Sequence, residues 1–306
     1  MKMKVSRKAI ENIIKQHIPE QELAEVKPYD KGHINEMLEI RLKKSRKPLI
    51  LRIYNEPWKA KKESFVYRCI KSQLDIPVPE ILASDDSGEI IPKAYMLMSK
   101  IDGMAIDKNY RKYRKKPIFR KAGEILARLH SVKFHHFGWL MDNEIKPAFR
   151  KWRDFAWHDL LTKMYNISSL KEIRKMIPRI EEKIGEYSFL LDIKETPCLL
   201  HKDYHCPHIL TKKSRIAGII DVEWAIAGHN ENDFIKMELW AFSRMKNLRK
   251  PFFDGYRKYG HISREYEQRI KMYELWHWIS MVNISKETKN REWLEHNIRA
   301  LRKFLK

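Results

Sequence analysis

Apolar residues first recur at helical spacing, with Ala9, Ile10, Ile13, Ile14 and Ile18 on one side, so a helix is predicted over 6–18, ending before Pro19. The period then shortens. Met37-Leu38-Glu39-Ile40-Arg41-Leu42 alternates and Leu49-Ile-Leu-Arg-Ile53 is almost wholly apolar, which predicts strands over 24–29, 36–43 and 48–54, with a turn at Asp30-Lys-Gly32. A helix over 59–73 is broken by Ile76-Pro77-Val-Pro79. Strands over 81–84 and 94–99 follow, joined through Asp85-Asp-Ser-Gly88, and Ile101-Asp-Gly103 reads as a hinge. Beyond it the spacing is mainly helical, as in Phe119, Ala122, Leu126 and Leu129, and again in Trp293, Ile298, Leu301 and Leu305. The expected class is α+β, with a small antiparallel-sheet lobe over 1–101 and a larger, mainly helical lobe over 102–306.

Three short apolar runs interrupt the helical half: Cys198-Leu-Leu200, Ile209-Leu210 and Ile216-Ala-Gly-Ile-Ile220. Between the first two lies His201-Lys-Asp203-Tyr-His-Cys-Pro-His208, and Asp221 ends the third. A strand–loop–strand unit would gather Asp203, His208 and Asp221 at one end. One carboxylate could then orient a hydroxyl and accept its proton, while a carboxylate and a second ligand hold a divalent ion on departing phosphates. An ordinary hairpin with polar ends would leave the same trace. In the sheet region, Gly32-His-Ile-Asn35 is a turn whose glycine lets backbone amides approach phosphate, though a plain hairpin turn explains it as well. Arg52 is a cation in an apolar strand, and an edge strand facing water would also tolerate it.

Taken together, these residues resemble the aminoglycoside phosphotransferase family, the small-molecule branch of the protein-kinase-like, two-lobed fold, which also takes in choline kinase-like enzymes. The family pattern His-x-Asp-x-x-x-x-Asn, an Ile-Asp metal motif and a later Asp is matched at His201, Asp203, Asp221 and Asp233. His208 stands where most of the family has Asn, as in the "His-Ile-Leu" branch resembling macrolide and 2″-aminoglycoside phosphotransferases. The resemblance implies Asp203 as catalytic base, Asp221 and His208 as metal ligands, and His201 and Asp233 as supports of the loop. Glu223, two residues past Asp221, could face the cleft or the solvent. The resemblance also implies that Arg52 contacts nucleotide phosphates and pairs with Glu63, fourteen residues before Pro77. Gly32 and Asn35 would lie near the phosphates, and backbone groups of Ser99 and Ile101 would meet the purine edge. The cofactors expected are ATP or GTP with Mg²⁺, or Mn²⁺. The function expected is transfer of the γ-phosphate to a hydroxyl of a sugar, alcohol, nucleoside-like metabolite or antibiotic. A catalytically silent nucleotide-binding regulator, with His208 as its disabling change, is the alternative, and a basic RNA-associated protein on the same scaffold is another.

Composition narrows this further. The chain has 306 residues, 43% of them hydrophobic, which is enough for a sizeable core. No apolar run approaches a membrane span, the charged N-terminus is unlike a signal peptide, and Cys69, Cys198 and Cys206 form no disulfide or zinc pattern. These features fit a cytoplasmic monomer or weak dimer. The formal charge of +22 invites a nucleic-acid reading, yet the basic residues are scattered and no recognised nucleic-acid module accompanies them. A positive field does bear on the acceptor, because it repels polycations and attracts anions. A neutral or anionic hydroxylated metabolite suits it better than a polyamine. The aromatic region after Asp233, with Trp240, Phe252, Tyr256, Tyr273 and Trp276, is the expected acceptor site, although core packing accounts for most of it. Glu238, Asp254 and Glu274 are the carboxylates there that could bind amines.

Overall fold

The structure, a computed structural model, describes residues 5–29, 35–109 and 115–306. Helix α1 (Arg7–His17) starts at Ser6, whose hydroxyl accepts a hydrogen bond from Ala9 N, and it buries Ile10, Ile13 and Ile14. Strands β1 (Leu23–Pro28), β2 (Glu36–Leu42), β3 (Leu49–Ile53), β4 (Ile81–Asp85) and β5 (Tyr95–Ser99) form one antiparallel sheet in the order β1-β2-β3-β5-β4. Helix α2 (Pro57–Gln73) connects β3 to β4, with Pro57 in its first turn.

Strand β3 is central and covered on both faces. Leu49, Leu51 and Ile53 pack with the apolar side of α1, whereas Ile50 and Tyr54 pack with α2 and the rest of the molecule. The two-residue period therefore turns Arg52 toward α2 and the catalytic half, and away from water.

The remainder is built around helices α3 (Ile106–Asn109), α4 (Lys115–Leu129), α5 (Trp152–Ile167), α6 (Lys171–Arg174), α7 (Ile177–Tyr187), α8 (Arg249–Tyr256), α9 (Tyr266–Glu287) and α10 (Arg291–Phe304). It holds more sheet than the periodicity predicts. Strand β6 (Met104–Ala105) pairs with β10 (Ile209–Lys212), which pairs with β11 (Arg215–Ile219). A hairpin of β7 (Phe137–Met141) and β8 (Glu144–Phe149) joins β12 (Ile226–Gly228) and β9 (Cys198–Leu200) in a second sheet. The loop 201–208 thus runs between strands of two different sheets, so the strand–loop–strand unit expected there is not an ordinary hairpin.

Helices α4 and α8 meet through glycines: a Cβ on Gly123 would lie 2.0 Å from Phe252 O, and one on Gly255 1.9 Å from Arg120 O. That close crossing sets Tyr256 beside His130, at the end of α4, and lets Ala122 O accept from Tyr204 Oη in the loop after β9. Among the described residues no helix is long and apolar enough to cross a membrane.

Candidate active site

Asp233, in a short 3₁₀ turn after β12, anchors the loop between β9 and β10. Its carboxylate accepts the backbone N–H groups of His201 at 2.7 Å and Lys202 at 2.6 Å, and it lies 3.2 Å from His130 Nε2. Burial would raise its pKa, but the bond from His130 and the loop amides hold it below the usual carboxylate range. His201 Nε2 donates to Ile220 O at 3.1 Å, while its Nδ1 accepts from Asp203 N at 3.2 Å. That arrangement needs a neutral ring, and burial supplies one by pushing the His201 pKa down to about 4. His201 therefore stitches the Asp203 loop to the end of β11.

Asp203 is turned into the cleft, where its Oδ1 is held by Lys236 Nζ and lies 3.2 Å from His205 Nε2. Burial opposes its charge. Lys236 first, then His208 and His205, outweigh burial and keep it ionised well below the usual range. Lys236 reaches it from the mouth of a π-helical turn, Met237–Phe242, whose wide winding also brings Trp240 beside His205 at 4.8 Å between ring centres.

His208 links the Asp203 backbone to the Asp221 carboxylate. Its Nδ1 donates to Asp203 O at 2.9 Å, because a carbonyl can only accept, and its Nε2 lies 3.2 Å from Asp221 Oδ2. In the neutral ring this aims the Nε2 lone pair beside a carboxylate oxygen, a pair of donors that a divalent cation would satisfy. Asp203, His205 and His208 also offer ligand atoms within 4.8 Å of one another, so the loop has a second possible ligand set.

Asp221 has φ 68° and gives its backbone N–H to Tyr67 Oη at 2.8 Å. Its Oδ1 accepts from both terminal nitrogens of Arg52 at 3.0 Å. The same guanidinium donates to Glu63 at 3.0 Å and to Glu223 at 2.9 Å, and Glu223 accepts from Asn35 Nδ2 at 2.8 Å. Burial disfavours the charge of Arg52, but Glu63 and Asp221, with Glu223, outweigh it and hold the guanidinium above its ordinary range. Burial pushes Glu63 up to about 7 despite Arg52, and it raises Glu223 too.

Asn35, Arg52, Asp203, His208, Asp221 and Glu223 line a cleft of about 1150 Å³, with Glu63, His201 and Asp233 behind them. Its far wall carries Trp139, Trp240 and Trp276 with Lys163, Lys202 and Lys236. Burial, and next Lys163, push the Lys202 pKa down to about 8.

The sequence model of the phosphotransferase enzyme family, APH, matches residues 25–271, which includes every residue of this network. The chain belongs to that family. Solved structures agree on the fold. A thermostable mutant of aminoglycoside phosphotransferase APH(4)-Ia, in ternary complex with AMP-PNP and hygromycin B, matches with a TM-score of 0.77 at 15% identity over 97% of each chain. The gentamicin complex of APH(2″)-IIa matches with a TM-score of 0.72 at 18% identity, over 98% of this chain and 97% of that one. A putative fructosamine-3-kinase from Haemophilus somnus matches with a TM-score of 0.70 at 13% identity, over 98% of this chain and 97% of that one. No curated protein matches the sequence.

Against the phosphotransferase pattern, the structure brings together Asn35, Arg52, Glu63, His201, Asp203, His208, Asp221, Glu223 and Asp233. Gly32 lies outside the described residues. Ser99 N–H donates to Glu80 O at 2.9 Å, and the Ile101 side chain packs against Gly218, at the end of β5. Glu223 resolves to the buried side of its two readings, held by Arg52 and Asn35.

Of the aromatic residues after Asp233, Phe252, Tyr256 and Tyr273 are core, while Trp240 and Trp276 line the cleft. Glu238 is bound by Arg249 and Tyr266, Asp254 by Lys250, and Glu274 by Trp278, so the three carboxylates are engaged away from it. The cleft wall also begins earlier in the chain than expected, at Trp139, Phe155, Asp159 and Lys163, because the β7–β8 hairpin and α5 pack beside the catalytic loop. An Asp142-Asn143 turn after the apolar run 137–141 was the signal for that hairpin.

Proposed function

We propose that this chain is a small-molecule kinase that moves the γ-phosphate of a purine nucleoside triphosphate to a hydroxyl group. The observation that carries it is the continuous chain of contacts Asp203–His208–Asp221–Arg52–Glu63 along one cleft. It sets a proton acceptor, a cation-ligating pair and a fixed cation in the order that phosphoryl transfer needs. Family membership and a fold shared with complexes of AMP-PNP support the nucleotide.

Asp203 faces the cleft ionised, with a backbone fixed by Asp233 and His201, so it can orient an acceptor hydroxyl and take its proton. The Arg52 fork, held by buried carboxylates, is placed to meet phosphate oxygens, and Asn35 lies beside it. His208 and Asp221 would hold a divalent ion, which when bound neutralises charge on the β- and γ-phosphates. Their mixed nitrogen and oxygen donors accept Mn²⁺ as readily as Mg²⁺. Positioning and fixed charge would supply most of the rate.

The test is a mass-shift screen with ATP and GTP, each with Mg²⁺ or Mn²⁺, against pooled sugars, alcohols, nucleosides, aminoglycosides and macrolides. A phosphorylated product that disappears with Asp203→Asn is expected. Tight nucleotide binding with no transfer to any acceptor would favour a silent nucleotide-binding protein, and absence of nucleotide binding would remove the kinase reading.

A further inference from the structure

Lys202 occupies a position that its backbone does not favour. Its φ is 62°, a left-handed conformation that glycine adopts freely and lysine adopts only under strain. The side chain that this strain presents is directed into the acceptor half of the cleft. Its Nζ donates to the amide oxygen of Asn232 and lies 5.3 Å from the centre of the Trp276 ring. Among the described residues it forms no ion pair with a carboxylate.

Two further ammonium groups flank it. Lys163 lies 5.6 Å from the Trp139 ring centre and pairs with Asp159, and Lys236 lies 5.2 Å from the Trp240 ring centre and pairs with Asp203. Lys163 and Lys236 each hold one carboxylate and Lys202 holds none, while Glu287 and Glu292 line the same cleft without an ion pair, among the described residues, to any of the three. Asp203 keeps Lys236 on Oδ1 and has Oδ2 for an incoming hydroxyl, so Lys202 is the ammonium of the three without an acidic partner. The tryptophan faces that would attract an amine already carry the protein's own cations. A polyamine would meet like charge there.

We propose that Lys202, with Lys163 and Lys236, forms an oxyanion-binding acceptor subsite, so that the hydroxyl phosphorylated here belongs to a small molecule also bearing a carboxylate or a phosphate. This rests on the kinase reading above. In the step itself the acceptor oxygen bonds to the γ-phosphorus as the bond from that phosphorus to the bridging oxygen breaks. The hydroxyl proton passes to Asp203 and then to water, and the nucleoside diphosphate leaves with the electron pair.

The experiment uses the full chain with Mg²⁺ and a non-hydrolysable ATP analogue, reading tryptophan fluorescence. Gluconate and glucose 6-phosphate are compared with glucose, glucosamine and kanamycin. At least one acid should bind about tenfold more tightly than glucose, as a charge-assisted contact implies, and the two acids separate carboxylate from phosphate. Lys202→Gly relieves the backbone strain, so it should fold at least as well. It should abolish that margin while leaving the affinity for the ATP analogue unchanged. Equal or tighter binding of glucosamine or kanamycin would overturn the proposal. So would acids that bind no better than glucose, or a margin that survives Lys202→Gly. The analogue's own affinity, measured in the same samples, tests the kinase reading separately.

Discussion

The two ends of the cleft carry opposite shortages of charge. Around Arg52, one guanidinium is divided among Glu63, Asp221 and Glu223. Around Asp203, Lys163 and Lys236 each hold one carboxylate and Lys202 holds none. The first end is acid-rich and buried, so it calls for a cation, and a metal beside His208 and Asp221 would complete it. The second is base-rich and opens into the cleft, so it calls for an anion. A nucleotide–metal complex at one end and an acidic acceptor at the other would neutralise both. The +22 charge of the chain gave no hint of this division, because a sum over 306 residues hides the sign of any one wall.

The largest effect is expected where the two ends meet. Asp203→Asn keeps the side chain's shape but removes the proton acceptor, and transfer should fall about a thousandfold. Nucleotide affinity, measured by calorimetry, should hold, since His208 bonds the backbone carbonyl of Asp203 and the carboxylate itself contacts Lys236 and His205, not Arg52. Equal loss of both would mean that the loop, and not the carboxylate, had failed.

Arg52→Met breaks the acid-rich end. Buried Glu63 and Glu223 and half-buried Asp221 would be left without their cation, a change that costs about 3–5 kcal/mol in comparable buried pairs. Urea unfolding should show that loss, and added Mn²⁺ without nucleotide should restore more stability to the variant, whose carboxylates have lost their cation, than to the parent. A variant with parental stability would show that Glu63, already raised to about 7 by burial, and its neighbours simply take up protons.

Lys62→Met sharpens the contrast between partnered and unpartnered cations. Lys62 follows Arg52 into the same interior, is fully buried, and has no hydrogen-bond partner for its Nζ, which rests 5.1 Å from the Trp139 ring centre. Burial pushes its pKa down from 10.5 to about 7. The folded state thus binds fewer protons than the unfolded one between those values, so this group destabilises the fold most below about pH 7, and the penalty fades toward about pH 10. Replacement by Met should therefore stabilise the protein by about 1–3 kcal/mol near pH 7. The gap between the two melting curves should close as the pH rises. A constant gap would trace the gain to packing alone.

How much of this was legible depended on what kind of order each part has. The sheet around Arg52 was readable because strand periodicity and the spacing to Glu63 and Pro77 are local features of the chain. Asp203, Asp221 and Asp233 were readable because their loop and turns follow short apolar runs at family spacing. The β7–β8 hairpin was only half legible: the Asp142-Asn143 turn marks it, but Glu144–Phe149 is largely exposed and does not alternate. The lysine wall was hidden for a different reason. Lys163, Lys202 and Lys236 are three among 62 basic residues, and only folding brings them to one place. Trp276 meets Asp159 across 117 positions, a contact that no window of sequence reveals.

The smallest expected effect concerns Tyr67, which braces the acid-rich end without carrying charge. Its hydroxyl accepts the backbone N–H of Asp221 at 2.8 Å, at the residue whose φ of 68° turns the carboxylate toward Arg52 and His208. Tyr67→Phe keeps the ring, which packs in the core with Tyr54 and Ile70, and deletes only that acceptor. The orphaned N–H should cost about 1 kcal/mol, read as a small fall in the urea midpoint. Asp221 would also be held less firmly in its strained conformation, so the Mg²⁺ concentration for half-maximal activity should rise about threefold with little change in kcat. If stability falls while the metal requirement stays put, Arg52 and His208 alone hold Asp221 in place. A larger fall in kcat than in metal affinity would instead show that the strain at Asp221 is transmitted through His208 to Asp203, and that the two ends of the cleft act as one.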